Sequence, residues 1–245
     1  MPILFGSVSL PARTRVNEGY LARPDLRGSY PTIVVVSPAW GITSSVTYLC
    51  RQVARHGFAV VAPDLYRGDR PSRDVSPEEA LARWEKISPR RIEGDLDDTV
   101  RFLRSPGTEW SDPDRIGVLG AGIGGHAVVA SAPRLGARSV ALCYPPLGAG
   151  AGTHGRALVE LIAEVKVPVL GIFGRDDDTV DLDLLPIARE RAPRAEWVLY
   201  GGVGHGFLDD DRDGYDPVAA PDAVSRVLHF FRDTLAARPA PAAAG

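Results

Sequence analysis

The sequence predicts an α/β fold built on a mostly parallel sheet with helices on both faces. Three observations lead there. Short apolar runs alternate with helical patterns along most of the chain. The runs are near-continuous rather than alternating in polarity, as in strands covered on both sides. The loops after several of them collect glycine, aspartate and histidine, and such sheets bind ligands beyond the C-terminal ends of their strands.

The elements follow in order. Residues 32–37 (TIVVVS) read as a buried strand. A helix over 43–57 carries Val46, Leu49, Cys50 and Val53 on one face, with N-cap candidates from Thr43 to Ser45 and a stop at Gly57. Residues 58–64 (FAVVAPD) are the next strand, and helices follow over 77–87 and 90–104. The second has Ile92, Leu96, Val100 and Leu103 on one stripe. Strand 115–120 leads through GAGIGG into a helix ending near Pro133. Strands over 139–144, 167–174 and 196–202 alternate with helices over 155–164 and 182–191, and a helix over 217–236 closes the pattern.

A chain of 245 residues, 44% hydrophobic and 24% charged, suits one domain over residues 1–236. Residues 237–245 (ARPAPAAAG) read as a flexible tail. A net charge of −3 argues against a nucleic-acid partner. No apolar run approaches the roughly 18 residues of a membrane span. The N-terminus lacks a positive region before an apolar core, so a cytoplasmic location is expected. Cys50 and Cys143 form no metal or disulfide pattern. The acidic stretch 209–214 (DDDRDG) partly matches a calcium loop, but Ala220 stands at the twelfth position, so it reads as structural. No metal or cofactor is expected, and the partner is a small-molecule substrate. The oligomeric state, monomer or homodimer, stays open.

Four loops stand at strand ends: 37–41 (SPAWG), 120–125 (GAGIGG), 174–181 (GRDDDTVD) and 201–207 (GGVGHGF). They give a tight turn, an acid and a histidine, in the chain order of the α/β-hydrolase triad. His205, flanked by glycines, is the candidate base, and one of Asp176, Asp177 and Asp178 would orient it.

With these loops, the pieces GYLARP (19–24), GFAVVAPDLYRG (57–68), GDLDDTVRFLR (94–104) and GHGFLDDDRDGYDPVAAPDA (204–223) make residues 18–235 resemble the dienelactone hydrolase family of α/β-hydrolases. The resemblance implies the α/β-hydrolase fold, with a mostly parallel sheet of about eight strands. It implies a triad of Cys or Ser, Asp and His, in which His205 is the histidine and Asp177 the acid, with Asp178 the alternative. The family's G-x-C-x-G-G turn maps without gaps onto residues 120–125, and the nucleophile position is Gly122. Backbone N–H groups of Ala39 and Ile123 would form the oxyanion hole. Pro38 stands where founding members carry a glutamate; Asp209 and the neighbourhood of Pro77 stand where they carry substrate-binding arginines. The resemblance therefore implies a less anionic substrate. Trp40, Tyr66, Trp84, His126, Cys143, Tyr144 and Phe207 are candidate pocket residues, several of which ordinary core packing would also explain.

Three functions are consistent with glycine at 122. A His–Asp dyad with an oxyanion hole supports non-covalent acid/base chemistry: cyclisation, isomerisation or elimination on a small, largely apolar carbonyl compound, in a setting such as secondary metabolism. Alternatively, the natural chain is an ester or lactone hydrolase and glycine is an engineered change. In the third, a hydrolase scaffold binds a ligand without converting it. Ser37 and Cys143 are the candidates for a displaced nucleophile.

Overall fold

Each of the six apolar runs read as a strand is one, and two further strands precede them. In a computed structural model, residues 1–11 and 16–236 are described; the expected tail at 237–245 lies outside them. The strands are β1 (Ile3–Pro11), β2 (Val16–Pro24), β3 (Tyr30–Val36), β4 (Ala59–Pro63), β5 (Ser111–Ala121), β6 (Val140–Cys143), β7 (Val169–Gly174) and β8 (Glu196–Tyr200). They form one eight-stranded sheet in the order β1-β2-β4-β3-β5-β6-β7-β8. The β1–β2 and β2–β4 pairs are antiparallel and the rest parallel. The sequence reading assigned no strand to β1 or β2. In β1, Gly6, Ser7 and Ser9 interrupt the apolar residues, and Leu4 and Phe5 stay exposed. An edge strand of this kind shows no buried-strand run.

The helices are α1 (Ser44–Arg55), α2 (Pro77–Glu85), α3 (Pro89–Leu103), α4 (Ile123–Leu135), α5 (Leu158–Leu161), α6 (Leu185–Arg191) and α7 (Ala219–Thr234). Thr43, Ser76 and Ser88 each accept a backbone N–H as N-caps, and Pro77 and Pro89 open the helices after the last two. The helix expected over 155–164 is shorter: one turn of α5, then a 3₁₀ turn at Ile162–Glu164. Residues 182–191 divide likewise, with 3₁₀ at Leu182–Leu184 before α6.

Alternate residues of each strand face opposite layers. Val34 and Val36 pack with residues of α3 and α4, including Leu96 and Val128. Ile33 and Val35 pack with residues of α1 and α7, including Val53 and Phe231. Burial on both faces is why these strands read as continuous apolar runs. The parallel register brings strand ends together: Val36 lies opposite Gly120, Ala121 opposite Cys143, Cys143 opposite Ile172, and Gly174 opposite Tyr200. The four loops read from the sequence therefore emerge at one edge of the sheet.

The β5–α4 turn is built by close approach. A Cβ on Gly120 would lie 2.4 Å from the Gly125 Cα, and one on Gly124 2.4 Å from the Ser37 carbonyl oxygen and 2.5 Å from that of Val36. These are backbone atoms and cannot swing aside. Gly124→Ala should therefore destabilise the protein by about 1–3 kcal/mol, as overpacking does. Thermal denaturation checks this, with a Tm several degrees lower as the expected result.

Candidate active site

The site begins at Gly122, between β5 and α4. Its backbone has φ 52° and ψ −131°, and its N–H donates to the Cys143 carbonyl at 2.9 Å. Glycine adopts this conformation at little cost. A Cβ here would meet only the Pro38 Cβ, at 3.6 Å, an ordinary contact. There is room for a side chain at 122, while the backbone strains any residue that has one.

Ile123 is the first residue of α4, where backbone N–H groups have no carbonyl a turn earlier to bind. Ala39 follows the end of β3. Among the described residues, the amides of Ile123 and Ala39 donate to no protein acceptor.

The acid and histidine loops are joined by their backbones. Arg175 N–H donates to the Tyr200 carbonyl at 2.8 Å and Asp176 N–H to the Val203 carbonyl at 3.0 Å. This extends the β7–β8 ladder past the strands and brings Asp177 under His205. The His205 Nδ1–H donates to Asp177 Oδ2 at 2.8 Å. Of the three aspartates, Asp177 alone is buried; Asp176 and Asp178 are exposed. The His205 side chain keeps 37% of its surface exposed, and its Nε2 has no protein partner among the described residues.

Thr179 completes the network, and sequence reasoning passed over it. Its hydroxyl donates to Asp177 Oδ1 at 2.7 Å and lies 2.7 Å from His205 Nδ1; its N–H donates to the same Oδ1 at 2.9 Å. An aspartate whose side chain accepts the N–H two residues on is an Asx turn, and the Asp-x-Thr spacing was the available signal. Burial alone would raise the Asp177 pKa. The hydrogen bond and charge of His205, then the Thr179 hydrogen bonds, outweigh it and hold the carboxyl below its ordinary value. A carboxyl depressed in the folded state adds stability that is complete above its unfolded pKa and is lost as pH falls through the folded one. Acid titration of unfolding should therefore show stability falling below about pH 4, and less steeply in Asp177→Asn.

The candidate pocket residues divide. Tyr144, just past β6, has φ 42°, a sparsely populated region for a residue with a side chain. Its ring meets that of His205 edge-on at 5.0 Å and that of Phe207 at 5.8 Å. Phe207 itself is wholly buried. Cys143 is buried, and burial pushes its thiol up to about 12, which leaves almost no thiolate at neutral pH. Ser37 is buried as well. Tyr66 donates its hydroxyl to the Ala39 carbonyl and packs edge-on against Trp84. Trp84 lies in the core, away from the dyad's contacts. His126 is also turned elsewhere: it is buried and its Nε2–H donates to the Arg156 carbonyl at 2.8 Å. Trp40 is covered by the Arg212 guanidinium, 3.5 Å from its ring centre. Arg212 also pairs with Asp209, and Asp211 with Arg73 and Ser44. Two of the three clustered carboxylates at 209–211 thus have partners within the protein.

The sequence model of the dienelactone hydrolase family matches residues 17–235. The chain belongs to the dienelactone hydrolase family. Its α/β-hydrolase fold agrees with a crystal structure from Klebsiella pneumoniae assigned as a dienelactone hydrolase: TM-score 0.86, 25% identity, covering 94% of this chain and 99% of that one. A dienelactone hydrolase-like phosphotriesterase, P91, from metagenomic libraries has the same fold at TM-score 0.77 and 17% identity, covering 95% and 98% of the two chains. In sequence, a Methylorubrum extorquens protein assigned as a carboxymethylenebutenolidase is 28% identical over 94% of this chain and 81% of its own length. A Bradyrhizobium protein assigned as a 2-oxo-3-(5-oxofuran-2-ylidene)propanoate lactonase is 26% identical over 87% of this chain and 88% of its own. These family relatives bear the names of hydrolases and lactonases. No helix among the described residues of this member is long and apolar enough to cross a membrane.

Proposed function

We propose that this family member is an enzyme that works on a small carbonyl compound by acid/base chemistry, without a covalent intermediate. One observation carries the reading: a hydrogen-bonded His205–Asp177–Thr179 network stands with its Nε2 free, while residue 122, at the turn where the family places its nucleophile, has no side chain. Nε2 of His205 takes a proton from the carbon next to the carbonyl. The electron pair passes to the carbonyl oxygen, where the amides of Ile123 and Ala39 receive the negative charge, the first aided by the α4 dipole. Return of the proton at another carbon gives isomerisation, and loss of a neighbouring leaving group gives elimination. Removal of a proton from a substrate hydroxyl that then attacks the carbonyl gives cyclisation. Buried Cys143 and Ser37 make poor replacements for a nucleophile. The test is deuterium exchange at the carbon next to the carbonyl of a neutral methyl ketone, followed by NMR. Exchange catalysed by the protein and lost in His205→Ala is expected; equal rates in both overturn the reading.

A further inference from the structure

A cavity of about 300 Å³ lies between α1 and α7, with Ala121, the residue before Gly122, on its lining. Pro38, Cys143 and Tyr144 also line it. Each belongs to the site's neighbourhood. Ala121 precedes Gly122, Pro38 borders the space a side chain at 122 would fill, and Tyr144 packs against His205. Its walls are Val46 and Leu49 of α1 and Val224 and Leu228 of α7. Leu49 and Val224 are only partly buried by the protein's own packing.

The lining carries two carboxylates and one imidazole, that of His56 near its outer surface. Asp209 and Asp210 stand on it, and among the described residues it includes no lysine or arginine. Asp209 is paired with Arg212. Asp210 has no such partner among the described residues, and desolvation together with the charges of Asp211 and Asp209 raises its pKa against the opposing charge of Arg73. A carboxylate entering the cavity would lose water and meet the like charge of Asp209 and Asp210, with no lysine or arginine on the wall to receive it. An uncharged hydrocarbon group loses nothing of this kind and gains from burial.

We infer that the α1–α7 cavity is the specificity pocket of the site and holds an uncharged alkyl or alkenyl portion of the substrate, continuous with a carbonyl at Gly122. The inference rests on the proposed function only for the position of the carbonyl. It commits the substrate to a neutral compound with a flexible apolar arm.

Calorimetric binding of methyl ketones from butanone to undecan-2-one tests it. Affinity should rise about fourfold for each added methylene until the cavity is filled, then level off. Val224→Trp and Leu49→Trp, which fill it from opposite walls, should each flatten the series, with native circular dichroism confirming that the variant folds. Replacing the terminal methyl of the ketone by a carboxylate should weaken binding. A wild-type series without chain-length dependence overturns the inference, as does a folded pair of Trp variants with an unaltered series. The readout needs no turnover: His205→Ala should keep the series intact. Loss of the exchange reaction with the series preserved would therefore count against the proposed chemistry and leave the pocket standing.

Discussion

In His205→Ala, deuterium exchange next to the carbonyl of a methyl ketone should fall by about 10²–10⁴-fold, the usual contribution of a positioned general base. The basis is geometric. Nδ1 is committed to Asp177 at 2.8 Å, which leaves Nε2 as the nitrogen that can reach a substrate proton. Asp177→Asn should act through the imidazole rather than on the substrate. An asparagine presenting its NH₂ to Nδ1 favours the tautomer with the proton on Nε2, where it cannot serve as a base. Asp177→Asn should therefore also slow exchange, with ketone affinity nearly unchanged in both variants. Thr179→Val tests the third member. It removes a donor to Asp177 Oδ1 but leaves the Thr179 backbone N–H on the same oxygen, so its effect should be smaller than either.

Sequence and structure diverge in ways that follow from what a chain pattern encodes. The central strands were legible because burial on both faces produces continuous apolar runs, as in 32–37 and 167–174. The β1–β2 hairpin was not, since β1 is an edge strand with Leu4 and Phe5 exposed. Glycine spacing and the order of turn, acid and histidine pointed to four loops that the strand register brings to one edge of the sheet. Asp177 is hydrogen-bonded to His205, and the backbone bonds of Arg175 and Asp176 to the β8 loop that bring the two together involve no side-chain pattern. Aromatic residues were the least informative. Trp84 and Tyr144 look alike in sequence, but one packs in the core while the other sits in a strained backbone conformation against His205. The cavity between α1 and α7 was equally hidden, because Leu49 and Val224 carry ordinary helix-stripe signals.

Gly122→Ser should form an acyl-enzyme, an intermediate that the proposed non-covalent chemistry does without. The turn holds residue 122 at φ 52° and ψ −131°, and a Cβ there would touch only Pro38 at 3.6 Å. Space is therefore not the obstacle; conformation is, at about 1–3 kcal/mol for a residue with a Cβ in a sparsely populated region. The variant should be less stable than wild type by about that amount. A nucleophile in a mature triad is worth about 10⁶ in kcat, and a transplanted hydroxyl beside a free His205 Nε2 should recover part of it. With p-nitrophenyl butyrate, intact-mass spectrometry of quenched Gly122→Ser should show one added butyryl group, and Gly122→Ser/His205→Ala should show none. The wild type should show no adduct either. A butyryl adduct on the wild-type chain would reveal another nucleophile and end the non-covalent reading. A folded Gly122→Ser that never acylates would instead place the turn too far from His205 for the two to cooperate. The experiment thus separates two properties of this loop: the glycine that relaxes it, and the reach from residue 122 to the His205 imidazole.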